Sequence, residues 1–164
     1  MADAGADEPT TKLYFEDHVP GSVYLFGSVL VEEQEILDFG RRYDPQVFHT
    51  DPEAAKKTSF GGLVASGWHT AALAMRLIVD HRLSRMPNLG SPGVDELRWL
   101  KPVRPGDTLS VRLTVLEARL SHSKPDRGLV RALVEVLNQS GEAVASWKGL
   151  NIVPCRNSSS RGGP

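Results

Sequence analysis

Gly67-Trp68-His69-Thr70-Ala71-Ala72-Leu73-Ala74-Met75-Arg76-Leu77-Ile78-Val79-Asp80-His81 is the stretch that decides the fold. Following a glycine-bearing connection, it reads as a helix over about residues 67–85. Trp68, Ala71, Ala72, Leu73, Ala74, Met75, Leu77, Ile78 and Val79 cover nearly every face of the first three turns. A helix apolar all round is expected to be buried on all sides. In a chain of 164 residues, something large must then wrap around it. The sequence after it supplies four candidate strands, at about 91–100, 107–120, 128–138 and 142–153. Turn material at Pro102 to Asp107, Ser123 to Arg127 and Asn138 to Gly141 separates the last three from what precedes each. Several of these exceed the usual five or six residues. Long antiparallel strands around one buried helix make an α+β domain, a strongly curved sheet gripping that helix.

Upstream, residues 22–31 are rich in Val, Leu, Tyr and Phe and predict a strand. Residues 32–43 then change period, with Ile36, Phe39 and Tyr43 on one helical face and Leu37 and Gly40 beside them. Glu32, Glu33 and Glu35 at the start and Arg41 and Arg42 at the end suit a helix dipole. Pro45 disfavours helical geometry at Asp44, so residues 44–50 are expected to be a loop. A short helix is predicted at about 52–57. Its cap is either Asp51, with Pro52 in the first helical position, or Thr50, with Glu53 completing a capping box. A glycine-bearing connection, Phe60 to Gly67, leads into the long helix.

Length and an apolar content of 40% suit one domain with a real core, expected over residues 13–154. Residues 1–12 and 155–164 read as a disordered lead-in and tail. A net charge of -1, with both signs interspersed, gives no electrostatic case for nucleic acid or an anionic membrane as partner. The one cysteine, Cys155, allows neither an intramolecular disulfide nor a cysteine zinc site, and fits a reducing, cytoplasmic compartment. Met1 to Pro9 lacks the basic start and apolar run of a secretory signal. The longest largely apolar stretch, Ala71 to Val79, is interrupted by Arg76 and is too short to span a bilayer.

Chemistry concentrates in Tyr43-Asp44-Pro45-Gln46-Val47-Phe48-His49-Thr50-Asp51-Pro52. A carboxylate and an imidazole stand five residues apart on a proline-stiffened loop. Residues five apart do not share a helix face, but a folded-back loop can bring them together. Converging on one point, they are suited to gripping a water and moving its protons. Val47 and Phe48 are expected to provide apolar surroundings. Spacing alone leaves the plain alternatives open: an Asx-turn at Asp44, and a His49 that only bonds a backbone carbonyl.

The stretch from Asp44 to Met75 resembles the MaoC-like dehydratase, or R-specific enoyl-CoA hydratase, family. The pattern is Asp, four residues, His, then a small-residue-Gly pair opening a long helix, here Asp44, His49 and Ser66-Gly67. Tyr14-Phe15-Glu16-Asp17 and the segment Leu97 to Asp107 extend the similarity, which covers about residues 14–153. The resemblance implies the hot-dog fold. It also implies that Asp44 and His49 hold a catalytic water, which adds across the Cα=Cβ bond of a 2-enoyl thioester. The backbone N–H of Gly67 would bind the thioester oxygen, a role that unpaired N–H groups at a helix N-terminus can fill. The implied activity is that of a hydro-lyase acting on an acyl-CoA or acyl-carrier thioester. Coenzyme A is then part of the substrate, with no separate cofactor, and the protein is a homodimer or higher homo-oligomer. The usual pattern has Asn, Pro and an aliphatic residue where this chain has Gln46, Val47 and Phe48, a departure that bears on substrate choice and on support of the loop.

Two other functions fit the same fold: a hot-dog acyl-CoA thioesterase, and a non-catalytic acyl-binding module. His49 beside Asp44 favours hydration over the first. Elsewhere, His69 reads as a hydrogen-bonded core or interface histidine, and His18, His81 and His122 have no partner suggested by spacing. Arg98, Lys101 and Arg104 read as solvated strand-end charges sooner than as phosphate ligands. No metal-site spacing and no phosphate-binding glycine loop is present.

Overall fold

The computed structural model describes residues 11–157. Of the expected lead-in and tail, residues 1–10 and 158–164 lie outside the described residues. Cys155 and Arg156 are tied down. The Cys155 N–H donates to the Asp126 carbonyl at 2.8 Å, and the Arg156 guanidinium reaches the Asp17 carboxylate at 2.6 Å.

Five antiparallel strands form one sheet: β1 (Val23–Leu30), β2 (Gly93–Trp99), β3 (Thr108–Leu120), β4 (Arg127–Leu137) and β5 (Ala143–Pro154). Their spatial order is β1-β3-β4-β5-β2. Among the described residues four α-helices accompany them: α1 (Glu33–Tyr43), α2 (Val47–Thr50), α3 (Pro52–Ala55) and α4 (Gly67–His81). This is the hot-dog fold, a curved sheet packed on one long helix.

Strict alternation builds the core. Leu109, Val111, Leu113 and Val115 of β3 and Val130, Ala132, Val134 and Val136 of β4 all point to one face and are buried. They meet Ala74, Leu77 and Ile78 of α4 in a single cluster. All-round burial of α4 is not found. Trp68, Met75 and Val79 are 60%, 45% and 40% exposed. The sheet covers one side of the helix only, and a second stripe of apolar residues faces outward. As an α-helix α4 ends at His81, and a 3-10 turn over Leu83–Arg85 completes the predicted stretch.

α1 forms where expected but rotates its buried stripe by about one position. Ile36, Leu37 and Gly40 are buried, Phe39 is half-buried and Tyr43 is exposed. Residues 47–50 are not loop: they close a single helical turn, α2. The His49 N–H donates to the Gln46 carbonyl and the Asp51 N–H to the Val47 carbonyl. A four-residue turn is too short to leave a periodic signature in sequence. α3 is capped by Asp51, whose Oδ1 accepts from the N–H groups of Glu53 and Ala54, with Pro52 at the first position. Thr50 takes no part in this cap, because its hydroxyl donates to the Gln46 carbonyl at 3.0 Å. Among the described residues no helix is long and apolar enough to cross a membrane.

Candidate active site

Asp44 caps the C-terminal end of α1. Its N–H still donates to the Gly40 carbonyl, but its φ of -148° takes the chain out of the helix, as Pro45 requires. The carboxylate thereby leaves the α1 surface and turns toward the start of α4. Ser66 Oγ donates to Asp44 Oδ2 at 2.7 Å, and Gln46 Nε2 donates to Oδ1 at 2.8 Å. The Gln46 hydrogen bond, foremost, holds the Asp44 carboxyl below its ordinary value. The Ser66 bond and the nearby His49 act in the same direction, against an opposing push from burial. The group is a carboxylate at neutral pH.

His49 is buried, and both its ring nitrogens are accounted for. Nδ1 lies 2.7 Å from the Val64 carbonyl, which can only accept, so Nδ1 carries the proton. Nε2 is 3.3 Å from Asp44 Oδ2. In the neutral ring Nε2 therefore presents its lone pair at the carboxylate. The two groups face one point as acceptor and acceptor, an arrangement completed by a proton donor such as water. Phe48 packs edge-on against the imidazole, with centroids 4.6 Å apart. Val47, expected to join it, is 44% exposed and is not on the lining of the cavity that holds the imidazole. The packing of α2 depends on Gly40: a β-carbon there would lie 2.5 Å from the His49 carbonyl oxygen.

The loop before α4 is fixed residue by residue. The Val64 N–H donates to the Phe48 carbonyl, the Ala65 N–H to the Val103 carbonyl, and Ser66 Oγ accepts from the Trp68 N–H as the cap of α4. Gly67 follows as the first residue of the helix, where no intrahelical acceptor exists for its N–H. A β-carbon on Gly67 would come within 2.4 Å of the Trp99 indole. Asp44, His49, Ser66, Gly67, Trp68 and Trp99 all line one cavity of about 510 Å³. Phe60, Leu100 and Val144 provide apolar wall, and Lys101 stands on the lining. That volume falls within the ordinary range for small-molecule sites.

The structure thus gathers Asp44, His49 and Gly67, the three residues singled out in the sequence, around one space. Ser66, the Val64 carbonyl and Trp99 join them. Ser66 belonged to a recognised small-residue-Gly pair, but its bond to a carboxylate 22 residues away has no local signature. A backbone carbonyl such as that of Val64 carries no sequence signal at all.

The remaining candidates stand apart from this cavity or are otherwise engaged. His69 is buried and stacked on Phe39 at 4.9 Å, but its Nδ1 finds no hydrogen-bond partner, contrary to expectation. His18 is buried, with Nδ1 2.8 Å from the Tyr14 carbonyl. Lys101 pairs with Glu142, and the Arg104 guanidinium donates to the Phe60 carbonyl at 2.6 Å. Burial, foremost, pushes the Cys155 thiol up, which disfavours a nucleophilic thiolate. Among the described residues no group of three or more His, Cys, Asp or Glu is placed to hold a metal ion.

Known proteins are similar to this chain in fold and in sequence. A MaoC-like dehydratase from Rhodospirillum rubrum superposes with a TM-score of 0.79 at 41% identity, over 88% of this chain and 98% of that one. The R-hydratase PhaJ1 from Pseudomonas aeruginosa gives a TM-score of 0.68 at 26% identity, over 88% of each chain. A mesaconyl-CoA hydratase from Cereibacter sphaeroides is 42% identical over 72 residues, which is 44% of this chain and 20% of that longer protein. The family model described as the MaoC like domain matches residues 7–137, most of the chain, and the protein belongs to that family.

Proposed function

We propose that the protein is an acyl-thioester hydratase, or the corresponding dehydratase, working on a 2-enoyl-CoA or related thioester with Asp44 and His49. One observation carries this reading: His49 Nε2 and Asp44 Oδ2 lie 3.3 Å apart on a cavity wall while Nδ1 is committed to the Val64 carbonyl. A water between them donates one hydrogen to the carboxylate and the other to Nε2. Its oxygen attacks Cβ, and the O–H bond toward Nε2 breaks. The resulting imidazolium is stabilised by the adjacent Asp44 carboxylate. The electron pair of the Cα=Cβ bond moves onto the thioester as an enolate, whose oxygen accepts from the Gly67 N–H at the positive end of α4. Nε2 then returns its proton to Cα, and one water has been added. Hydroxyl and proton arrive on the same face because one cluster delivers both.

A donor placed where charge develops stabilises the transition state more than the substrate, and one such donor is typically worth about 3–4 kcal/mol of barrier. The hydratase names of related proteins support the reaction class. Coenzyme A enters as part of the substrate. The outward apolar stripe of Trp68, Met75 and Val79 supports a homodimer, because a second copy would remove it from water. Sedimentation of a monomer at micromolar concentration would remove the dimer from the proposal.

The test follows loss of the conjugated absorbance of a 2-enoyl-CoA panel. Wild type consumes it, and Asp44→Asn and His49→Ala each reduce turnover by at least about 10³-fold with circular dichroism unchanged, a loss in the range of removing a general base. Wild-type turnover in both variants would overturn the assignment.

A further inference from the structure

β2 carries an irregularity with a defined effect on the cavity. Asp95 pairs with Lys148 and Arg98 with Ser146, so three steps along β2 span only two along β5. The extra residue is a β-bulge, and Glu96 within it has φ 54°, the one non-glycine positive value among the described residues. Its carboxylate is held 2.7 Å from Lys148 Nζ.

One inserted residue reverses which face every later side chain of the strand takes. Before the bulge, Asp95 lies in a cross-strand row with Lys148, Leu133, Thr114 and the exposed Val23, the outer face of the sheet. After it, Trp99 lies in a row with Ala145, Val136 and Val111, all fully buried on the helix-facing side. In an unbulged strand Trp99 would share the parity of Asp95 and point outward. The bulge instead delivers its indole onto Gly67 and edge-on to Trp68, with centroids 5.5 Å apart. Trp99 stays 45% exposed there, so the ring is more wall than core.

We infer that Trp99 is a specificity-determining residue that selects acyl thioesters unbranched at Cα. This rests on the reading in which the Gly67 N–H binds the thioester oxygen. An indole packed on Gly67 then flanks the carbonyl and the carbon next to it. A substituent at Cα must displace a ring already seated against the Gly67 backbone and edge-on to Trp68. A straight chain, leaving along the cavity, meets no such obstacle.

Butanoyl-CoA and isobutanoyl-CoA have the same number of carbons and cannot be hydrated, so calorimetry on the full chain reads acyl selection without turnover. Wild type is expected to bind the straight ester at least about 10-fold more tightly, within the discrimination a pocket achieves against one methyl. Trp99→Ala is expected to shrink that preference to within about 3-fold, with Trp99→Phe in between. Trp99→Phe also covers the case in which the alanine variant fails to fold. An unchanged preference in the variants, equal binding of both esters by wild type, or no binding of either overturns the inference. Turnover of 2-butenoyl-CoA by wild type is measured beside it. A Trp99-dependent preference without turnover removes the hydratase reading and leaves the selective wall standing. Turnover without the preference does the reverse.

Discussion

Gly40 and His49 touch through their backbones: a β-carbon on Gly40 would lie 2.5 Å from the His49 carbonyl oxygen and 3.0 Å from its Cβ. The first residue sits in α1 and the second in α2, so this contact sets the distance between the helix that ends in Asp44 and the turn that carries the imidazole. Gly40→Ala must push α2 away. The expected result is a loss of about 1–3 kcal/mol in stability, the usual cost of overpacking. Turnover should fall about 10²-fold, because small misplacements of catalytic groups are costly. Denaturant unfolding and steady-state kinetics on the same preparation check both. Full activity would mean that His49 tolerates displacement.

Ser66 does two things that can be separated. Its hydroxyl caps α4 and also donates to Asp44 Oδ2. Alanine loses both, at about 1 kcal/mol for the cap, whereas glycine retains most of the capping energy. Ser66→Ala and Ser66→Gly should therefore differ in unfolding free energy yet lose turnover alike, by about 10-fold or more, as expected when a hydrogen bond to a charged group is removed. Turnover that tracked stability instead would confine Ser66 to the helix cap.

The Asp44 carboxyl is lowered chiefly by Gln46. Its depressed folded value contributes stability that is present above the unfolded carboxylate value of about 3.9, and lost as pH falls through the folded value. Gln46→Ala removes the largest cause and should move the Asp44 titration upward, toward the ordinary value. Side-chain carboxyl NMR across pH 2–6 follows it directly. An unmoved midpoint would shift the credit to Ser66 and His49.

His69 and His18 are both lowered from the ordinary histidine value, foremost by burial. Here the unfolded chain binds protons first. Stability is therefore expected to drop as pH falls below about 6.5, and to level off beneath the folded values. His69→Phe keeps a ring against Phe39 and should flatten part of this dependence. Thermal melts at pH 7.5 and 5.5 compare the two proteins, and an equal drop in both would exclude His69 as the source.

The sheet, the long helix and the end of α1 at Asp44 leave local marks in the sequence, whereas the pairing of Asp44 with His49 rested on the family resemblance, since their spacing alone left other readings open. Alternation marks β3 and β4, an apolar run marks α4, and Pro45 ends α1 beside the carboxylate. What stayed hidden depends on contacts distant in sequence. The exposed flank of α4 could not be told from its buried side, because Met75 and Leu77 are equally apolar and only the sheet distinguishes them. The rotation of α1 had the same origin: Tyr43 fits the period of the core but lies past the edge of what covers it. Thr50 and Asp51 both looked like caps, and the choice fell to Asp51 once the Thr50 hydroxyl was drawn to Gln46. Trp99 was hidden most completely, since its face is decided by one residue in left-handed geometry at a position with no glycine to announce it.

Val64, Ala65 and Ser66 bind in turn to α2, to the turn at Val103 and to Asp44. Three consecutive residues thus serve as a splint across three separate parts of the chain, with no slack between them. Adding or deleting one residue within 63–67 would carry the acceptor of His49 out of register and pull the hydroxyl off Asp44 in the same stroke. The length of this short segment, more than the identity of most of its side chains, therefore keeps the pair together.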